Sequence, residues 1–168
     1  RESDQVYTSA LDTLRECSPS EAVLLMAEVL QSSDHPRQRI VLPRLELPER
    51  WIARLDDEAV QALMGLLDHP RVVVRKAVAL DLVRAIGRDS APQIARFLAD
   101  LPEGQSTYSL EGLGFAMAKK GMPEALPLLV PLLRERASRG SYMASGAGRW
   151  VLALARNGSR EALAEVVP

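Results

Sequence analysis

Residues 66–87 read LLDHPRVVVRKAVALDLVRAIG, and this stretch decides the fold class of the chain. It opens on Asp68-His69-Pro70, and proline suits the first turn of a helix because its missing amide would have no partner there. Small and apolar residues then continue as far as Gly87, and glycine readily takes the left-handed conformation that ends a helix. The stretch therefore predicts a turn, a helix over 70–86 and a glycine stop.

The same organisation returns along the chain at a nearly constant interval. A Glu-Ala pair opens the leucine-rich segments at 21–23, 58–60, 124–126 and 161–163, and residues 91–94 stand at the missing place. The alanines at 22, 59, 91, 125 and 162 are spaced by 37, 32, 34 and 37 residues. Such a period is typical of stacked helix pairs, in which each pair contacts only its neighbours. We expect an elongated surface instead of a closed pocket.

These signals predict the organisation of the whole chain as one helical repeat domain. A leading helix lies in 1–18, repeats occupy 19–56, 57–88, 89–122 and 123–159, and a truncated repeat occupies 160–168. The expected helices are 3–16, 21–32, 36–46, 48–54, 57–67, 70–86, 90–101, 106–120, 123–136, 141–157 and 159–166. The chain begins at Arg1 and its last repeat is cut short, so we expect a piece of a longer array.

Capping and breaking residues refine these boundaries. Ser18 stands three residues before Glu21, the spacing of a reciprocal capping box. Pro43 and Pro48 are expected to break the second helix of the first repeat, because a proline inside a helix removes a hydrogen bond and clashes with the preceding turn. Gly87, Gly121 and Gly158 each lie four residues before a repeat alanine and are predicted to be left-handed helix ends.

Residues 66–87 resemble a HEAT repeat, close to the bacterial HEAT-like form. The resemblance is carried by the Asp-x-Pro turn, the Val74-Arg75 pair, the small residues of the second helix and the closing Ile86-Gly87. The endings at 116–121 and 152–158 are similar to it more loosely. The family implies an all-α fold, a right-handed superhelix of four to five antiparallel helix pairs that holds other macromolecules, with the second helices lining its inner face.

One strip of the second helices is the candidate binding surface. With Val74 as the inward reference, apolar side chains cover most of the helix, and Ala77, Asp81, Arg84 and Arg88 share the remaining strip. Periods of 34 residues carry this strip to the two following units. We predict a partner-binding ridge of Asp81, Arg84, Arg88, Glu111, Phe115, Arg149 and Arg156, with Phe115 as the apolar anchor. The alternative is that these positions are merely solvated and that Phe115 is tucked between helices.

A pair of mid-helix glycines repeats as well. Tyr108 with Gly112 and Gly114 recurs 34 residues later as Tyr142 with Gly146 and Gly148. The pattern lacks the preceding strand and the third glycine of a phosphate-binding loop. Because glycine inside a helix costs about 1 kcal/mol relative to alanine, it needs a compensation. Close helix packing is one explanation, and a narrow groove that admits a peptide or ligand is the other.

Composition narrows the classes of function. The chain is 47% hydrophobic but only 4% aromatic, so its interior must be built from Leu, Ala and Val, as in packed helices. Twenty-one basic and 22 acidic side chains give a net charge of -1, which provides no general attraction to nucleic acid or to a membrane surface. Residues 1–33 nevertheless sum to -4 and residues 134–160 to +5, which would also suit end-to-end association of copies.

The single cysteine and the short apolar runs indicate in which cellular compartment the chain is expected. Cys17 is the one cysteine, which excludes an internal disulfide and suits a reducing, cytoplasmic environment. We expect it to be a small apolar filler near a helix end. No apolar run approaches the roughly 20 residues that a transmembrane helix needs.

No catalytic residue, metal site or cofactor is predicted. The only histidines, His35 and His69, occupy the same place in two turns, whereas a metal site needs three or four converging ligands. The paired His-Glu motifs of HEAT-like di-iron hydroxylases are missing. The acidic run at 56–58 is explained by the dipole of a helix start. We therefore expect no enzyme activity in this segment.

Two functions remain. The first is a non-catalytic scaffold that binds a protein partner along the inner face. The second resembles the HEAT-like DNA glycosylases, which hold duplex DNA in a basic concave face; the basic residues at 71, 75, 76, 84 and 88 would support it. Against it stand the balanced charge and the acidic side chains of Asp81 and Glu111 on the same strip. Trp51 and Trp150 could stack a base, but both fit core positions better.

Overall fold

A computed structural model of the chain describes residues 2–32, 35–101, 110–125 and 128–131. Within these residues all regular secondary structure is helical, as the sequence predicts. The chain divides into two compact units, Arg1–Ala85 and Ile86–Pro168, which are described separately below. None of the described helices has the length and apolar character needed to span a bilayer.

The described part of the first unit contains six helices at the predicted places, two of which, over 38–41 and 49–52, are shorter than the predicted 36–46 and 48–54. They are α1 (Glu2–Cys17), α2 (Pro19–Gln31), α3 (Gln38–Val41), α4 (Glu49–Ile52), α5 (Asp57–Gly65) and α6 (Val72–Ile86). The predicted break by Pro43 and Pro48 is confirmed: α3 passes into a 3-10 turn at Leu42–Arg44, and α4 begins directly after Pro48. A second 3-10 turn, Leu66–Asp68, extends the end of α5.

The second unit is described over two complete helices, two 3-10 turns and a helical stretch at 128–131. The turn Gly87–Ser90 leads into α7 (Ala91–Ala99), and α8 (Glu111–Lys119) precedes the turn Pro123–Ala125. Gly87 and Gly121 have φ angles of 56° and 72°, so both predicted left-handed helix ends are confirmed. Gly158 lies outside the described residues.

The core of the first unit is built from Leu, Ala and Val, as the composition predicts. Helix α2 packs against both α1 and α5, and its Ala22, Val23 and Leu30 are fully buried. Helix α6 is apolar on nearly every side, and Val74, Val78 and Leu82 have no exposed surface. A helix with so little polar surface must be covered by neighbouring elements on most of its circumference.

The two helix starts with capping signals have different outcomes. Asp56 caps α5, because its carboxylate accepts a hydrogen bond from the amide of Ala59 at 2.9 Å. The predicted capping box of Ser18 and Glu21 is wrong, since the Ser18 side chain makes no capping bond. The Ser18 amide, which Glu21 would have accepted, instead donates to the Leu14 carbonyl at 2.7 Å in the last turn of α1.

The two histidine turns have the same local structure. Nδ1 of His35 accepts from the amide of Arg37 at 3.2 Å, and Nδ1 of His69 accepts from the amide of Arg71 at 3.0 Å. Nε2 of His69 therefore carries the proton and donates to the Leu30 carbonyl at 3.0 Å. A helix begins two residues after each proline, so the turns launch the following helices as predicted.

Cys17 differs from the expectation. Its side chain is exposed at the end of α1, so it is not an apolar filler. The helix end at which it lies is held by an arginine instead: the guanidinium of Arg54 donates to the carbonyls of Glu16 and Cys17 at 2.9 and 2.8 Å. A cation at the carboxyl end of a helix satisfies orphan carbonyls and complements the helix dipole.

Candidate partner-binding surface

The predicted ridge residues fall on both units. Asp81 and Arg84 lie on α6 in the first unit, and their side chains meet at 3.7 Å. Arg88, Glu111 and Phe115 lie in the second unit, the last two one turn apart on α8. Arg149 and Arg156 lie outside the described residues.

Asp81 is buried, so its predicted place on an exposed strip is wrong. Its side chain is 1% exposed, and both carboxylate oxygens accept the amide of Leu47, at 3.0 and 3.2 Å. Ala77, which shares the strip, is buried too. The reason is that the segment between the two prolines covers this side of α6. Because that segment is not helical, its amides need acceptors outside a helix, and Asp81 supplies one from 34 residues away.

The burial of Asp81 changes its acid strength. Removal from water raises the pKa of this carboxyl group from 3.8 to about 7, and the nearby Glu46 adds to the increase. The hydrogen bond from the Leu47 amide and the charge of Arg84 act in the opposite direction and lower the pKa, but burial outweighs them. Proton uptake by Asp81 therefore falls in the physiological range.

Arg84 remains partly accessible but has internal partners. Its Nη1 donates to the Leu47 carbonyl at 3.2 Å, so Asp81 and Arg84 together bind both backbone groups of Leu47. The side chain is 30% exposed. Arg84 can therefore present part of its guanidinium to a partner only while it also holds Leu47.

The face of α8 matches the predicted ridge more closely. Glu111, Phe115 and Lys119 are spaced by four residues and therefore lie along one side of the helix. Phe115 is half-buried, so it is neither fully enclosed nor detached from the fold. The Lys119 ammonium lies 5.8 Å from the centre of the Phe115 ring, within the range of a cation–π interaction.

Arg88 is anchored at the carboxyl end of the same helix. Its Nε donates to the Lys120 carbonyl at 3.3 Å, and its side chain is exposed. Arg88 and Lys119 thus place two cations at the carboxyl end of α8, about one turn after Phe115. We call Arg88, Glu111, Phe115 and Lys119 the α8 patch.

Sequence reasoning missed a set of ion pairs in the first unit. Acidic residues of α1 bind arginines that follow them by 32–35 residues: Asp4 with Arg39, Asp12 with Arg44 and Glu16 with Arg50. The Arg44 pair is bidentate, with distances of 2.8 and 3.1 Å, and Arg44 lowers the pKa of the Asp12 carboxyl group. The signal was present in the sequence as acidic positions matched by basic ones 32–35 residues later.

Trp51 lies under these pairs as a buried anchor. Its side chain is 6% exposed, which confirms the core position that the sequence predicts. The guanidinium groups of Arg15 and Arg50 lie 4.5 and 5.2 Å from the ring, and its Nε1 donates to Glu16 at 3.3 Å. Burial lowers the pKa of Arg15, which stays part of this packed layer.

The repeated glycines have two different environments. A Cβ atom at Gly114 would lie 3.0 Å from Cδ2 of Leu129, so close packing explains this glycine. Among the described residues nothing lies within 4 Å of the same position at Gly112, and Gly112 is exposed, so packing against these residues does not explain this glycine. Gly146 and Gly148 lie outside the described residues.

In the part of the chain that the structure describes, no three His, Cys, Asp or Glu side chains come together in a way that could hold a metal ion. No protein-family model matches this chain, and no curated protein or solved structure matches it either. The proposal for function therefore depends on the contacts described above.

Proposed function

We propose that the chain is a HEAT-like helical repeat scaffold that binds a protein partner along its second helices. In this proposal the helix pairs form a right-handed superhelix, the chain performs no catalysis, and its location is the cytoplasm. Three kinds of contact support the proposal. Polar contacts between residues about one repeat apart support the repeat architecture, the α8 patch supports a protein partner, and the pairing of arginines with carboxylates disfavours nucleic acid.

The number of residues between the two partners of each polar contact supports the proposed repeat architecture. The long-range side-chain hydrogen bonds of the described residues join positions 29–39 apart, from Arg15 with Arg44 to His69 with Leu30. The second unit has the same spacing, since Arg88 and Lys120 are 32 positions apart. Contacts at one repeat length are what nearest-neighbour stacking produces, whereas a closed bundle mixes short and long separations.

The α8 patch is the best candidate for the partner contact. It combines a half-buried aromatic ring with charges of both signs, and aromatic anchors flanked by polar groups carry much of the energy of protein interfaces. A partner with an apolar side chain next to an acidic one would fit Phe115 together with Lys119 and Arg88. Unlike Asp81, Phe115 has surface left for such a contact.

Replacement of Phe115 by alanine should weaken partner binding at least tenfold while the fold is kept. The physical reason is the loss of an anchor, which costs about 2 kcal/mol or more at an interface hot spot. The measurement is quantitative affinity capture from native lysate, followed by titration of the recovered partner. Val6→Ala is the control, because Val6 is 66% exposed and lies on α1, outside both the patch and the second helices. Equal affinities of the two variants would contradict the proposal.

The nucleic-acid alternative loses support from the described arginines. Arg39, Arg44 and Arg50 are paired with carboxylates, and Arg84 lies 3.7 Å from the carboxylate of Asp81. Phosphate binding depends on accumulated positive charge that displaces counterions. We expect no shift of duplex DNA in a gel assay at low salt. A complex whose affinity falls steeply with added salt would restore the alternative.

A further inference from the structure

The structure assigns a second role to the segment between the two prolines. We call residues 45–48 the strap. Within it Glu46 has a φ of 69°, a left-handed conformation that is unfavourable for a residue with a side chain. Leu45 and Leu47 are only 8% and 2% exposed, so the strap buries two apolar side chains although it belongs to no helix. Such a segment needs a specific fastening to stay in place.

The fastening is the contact of the strap with α6. The Leu47 amide donates to both oxygens of Asp81, and the Leu47 carbonyl accepts from Arg84. The charged groups that face Asp81 are Arg84 from α6, Glu46 from the strap and Arg15 from α1. Burial of Asp81 thus depends on the strap, because the strap covers the carboxyl group.

We propose that the strap is a proton-controlled latch, closed over α6 while Asp81 is protonated and released as Asp81 ionises. Release lets the carboxylate reach water, frees Arg84 from its hold on Leu47, and uncovers the apolar side chains of Leu45 and Leu47. The latch therefore exposes an additional apolar surface on the first unit at alkaline pH.

The direction follows from linkage. The closed latch holds Asp81 with a pKa of about 7, whereas a hydrated carboxyl group titrates near 3.8. The closed form thus binds the proton more tightly, so each increase in pH between these two values favours the open form, and the effect is complete above about pH 7. Between pH 5 and 8 the opening equilibrium should shift on the order of a hundredfold.

Amide hydrogen exchange of the full chain tests the latch. The protection factor of the Leu47 amide, which corrects for the intrinsic pH dependence of exchange, should fall on the order of a hundredfold from pH 5 to pH 8. At every pH it should stay below that of the Met26 and Ala27 amides in the buried part of α2, because a latch opens without unfolding the unit. Equal protection of Leu47 and α2 would overturn the proposal.

Two variants separate the latch from other causes. In Asp81→Asn the Leu47 protection factor should no longer change with pH, and persistence of the change would overturn the proposal. Glu46→Gln alters an exposed side chain and so keeps the fold testable if the first variant does not fold. Because Glu46 raises the pKa of Asp81, this variant should move the midpoint of the protection curve to lower pH. An unmoved midpoint would contradict the assignment of the titrating group.

Discussion

Replacement of Trp51 by alanine should lower the free energy of unfolding by about 3–5 kcal/mol, the usual cost of removing a buried large aromatic side chain. Trp51 is 6% exposed on the short helix α4, which has a single turn and little stability of its own. The ring also supports the guanidinium of Arg15 and donates to Glu16 of α1. Its loss removes the packing that holds α4 against α1.

Trp51→Phe is the matched control for this change. Phenylalanine keeps most of the apolar area and the ring face for Arg15 but has no N–H donor for Glu16. We expect it to cost about 1–2 kcal/mol, from the lost hydrogen bond and the smaller volume. Urea unfolding followed by circular dichroism measures both variants. A loss below 1 kcal/mol for Trp51→Ala would show that Trp51 is not an anchor of this unit.

Helix positions were predictable because local chemistry fixes them. Pro43 and Pro48 break a helix because they stand beyond its first turn, and Gly87 and Gly121 end one because they reach positive φ at low cost. These effects depend on a few neighbouring residues and not on the rest of the fold. That is why the predicted and observed helices agree within a few residues over most of the described chain.

The site was less predictable because it depends on what covers each helix. The helical periodicity placed Asp81 on an exposed strip. The periodicity of one helix contains no information about other segments, such as the strap, that pack over that strip. The ion pair of Asp12 with Arg44 was not predicted for the same reason, since it too depends on which segments pack together. Its residues are both charged and partly exposed, so only the tertiary fold, which places Arg44 beside α1, brings them together.

The capping box failed for a related reason. The spacing of Ser18 and Glu21 was correct, but α1 ends so close to α2 that the Ser18 amide already bonds to Leu14. A capping box can form only where the amide that the Glu side chain would bond has no other acceptor. Where one helix begins directly after another, the carbonyls of the first helix can accept these amides instead.

Gly114→Ala and Gly112→Ala should change stability in opposite directions. At Gly114 the added methyl group meets Leu129 at 3.0 and 3.2 Å and Leu128 at 3.4 Å, and Leu129 is fully buried, so it has little room to move. Overpacking of this kind costs about 1–3 kcal/mol, which exceeds the gain in helix propensity from alanine. We expect a net loss of about 1–2 kcal/mol.

Gly112→Ala tests how much the higher helix propensity of alanine stabilises α8 where no steric clash opposes it. The glycine lies on the same helix two residues earlier, and its Cβ position has open space. Alanine should therefore increase the free energy of unfolding by about 0.5–1 kcal/mol, since it loses less backbone entropy on folding. Urea unfolding of the two variants beside the parent chain gives the comparison. Because both changes add the same methyl group to α8, only the packing of Gly114 against Leu129 can give them opposite signs; shifts of equal sign would show that this contact does not limit the helix.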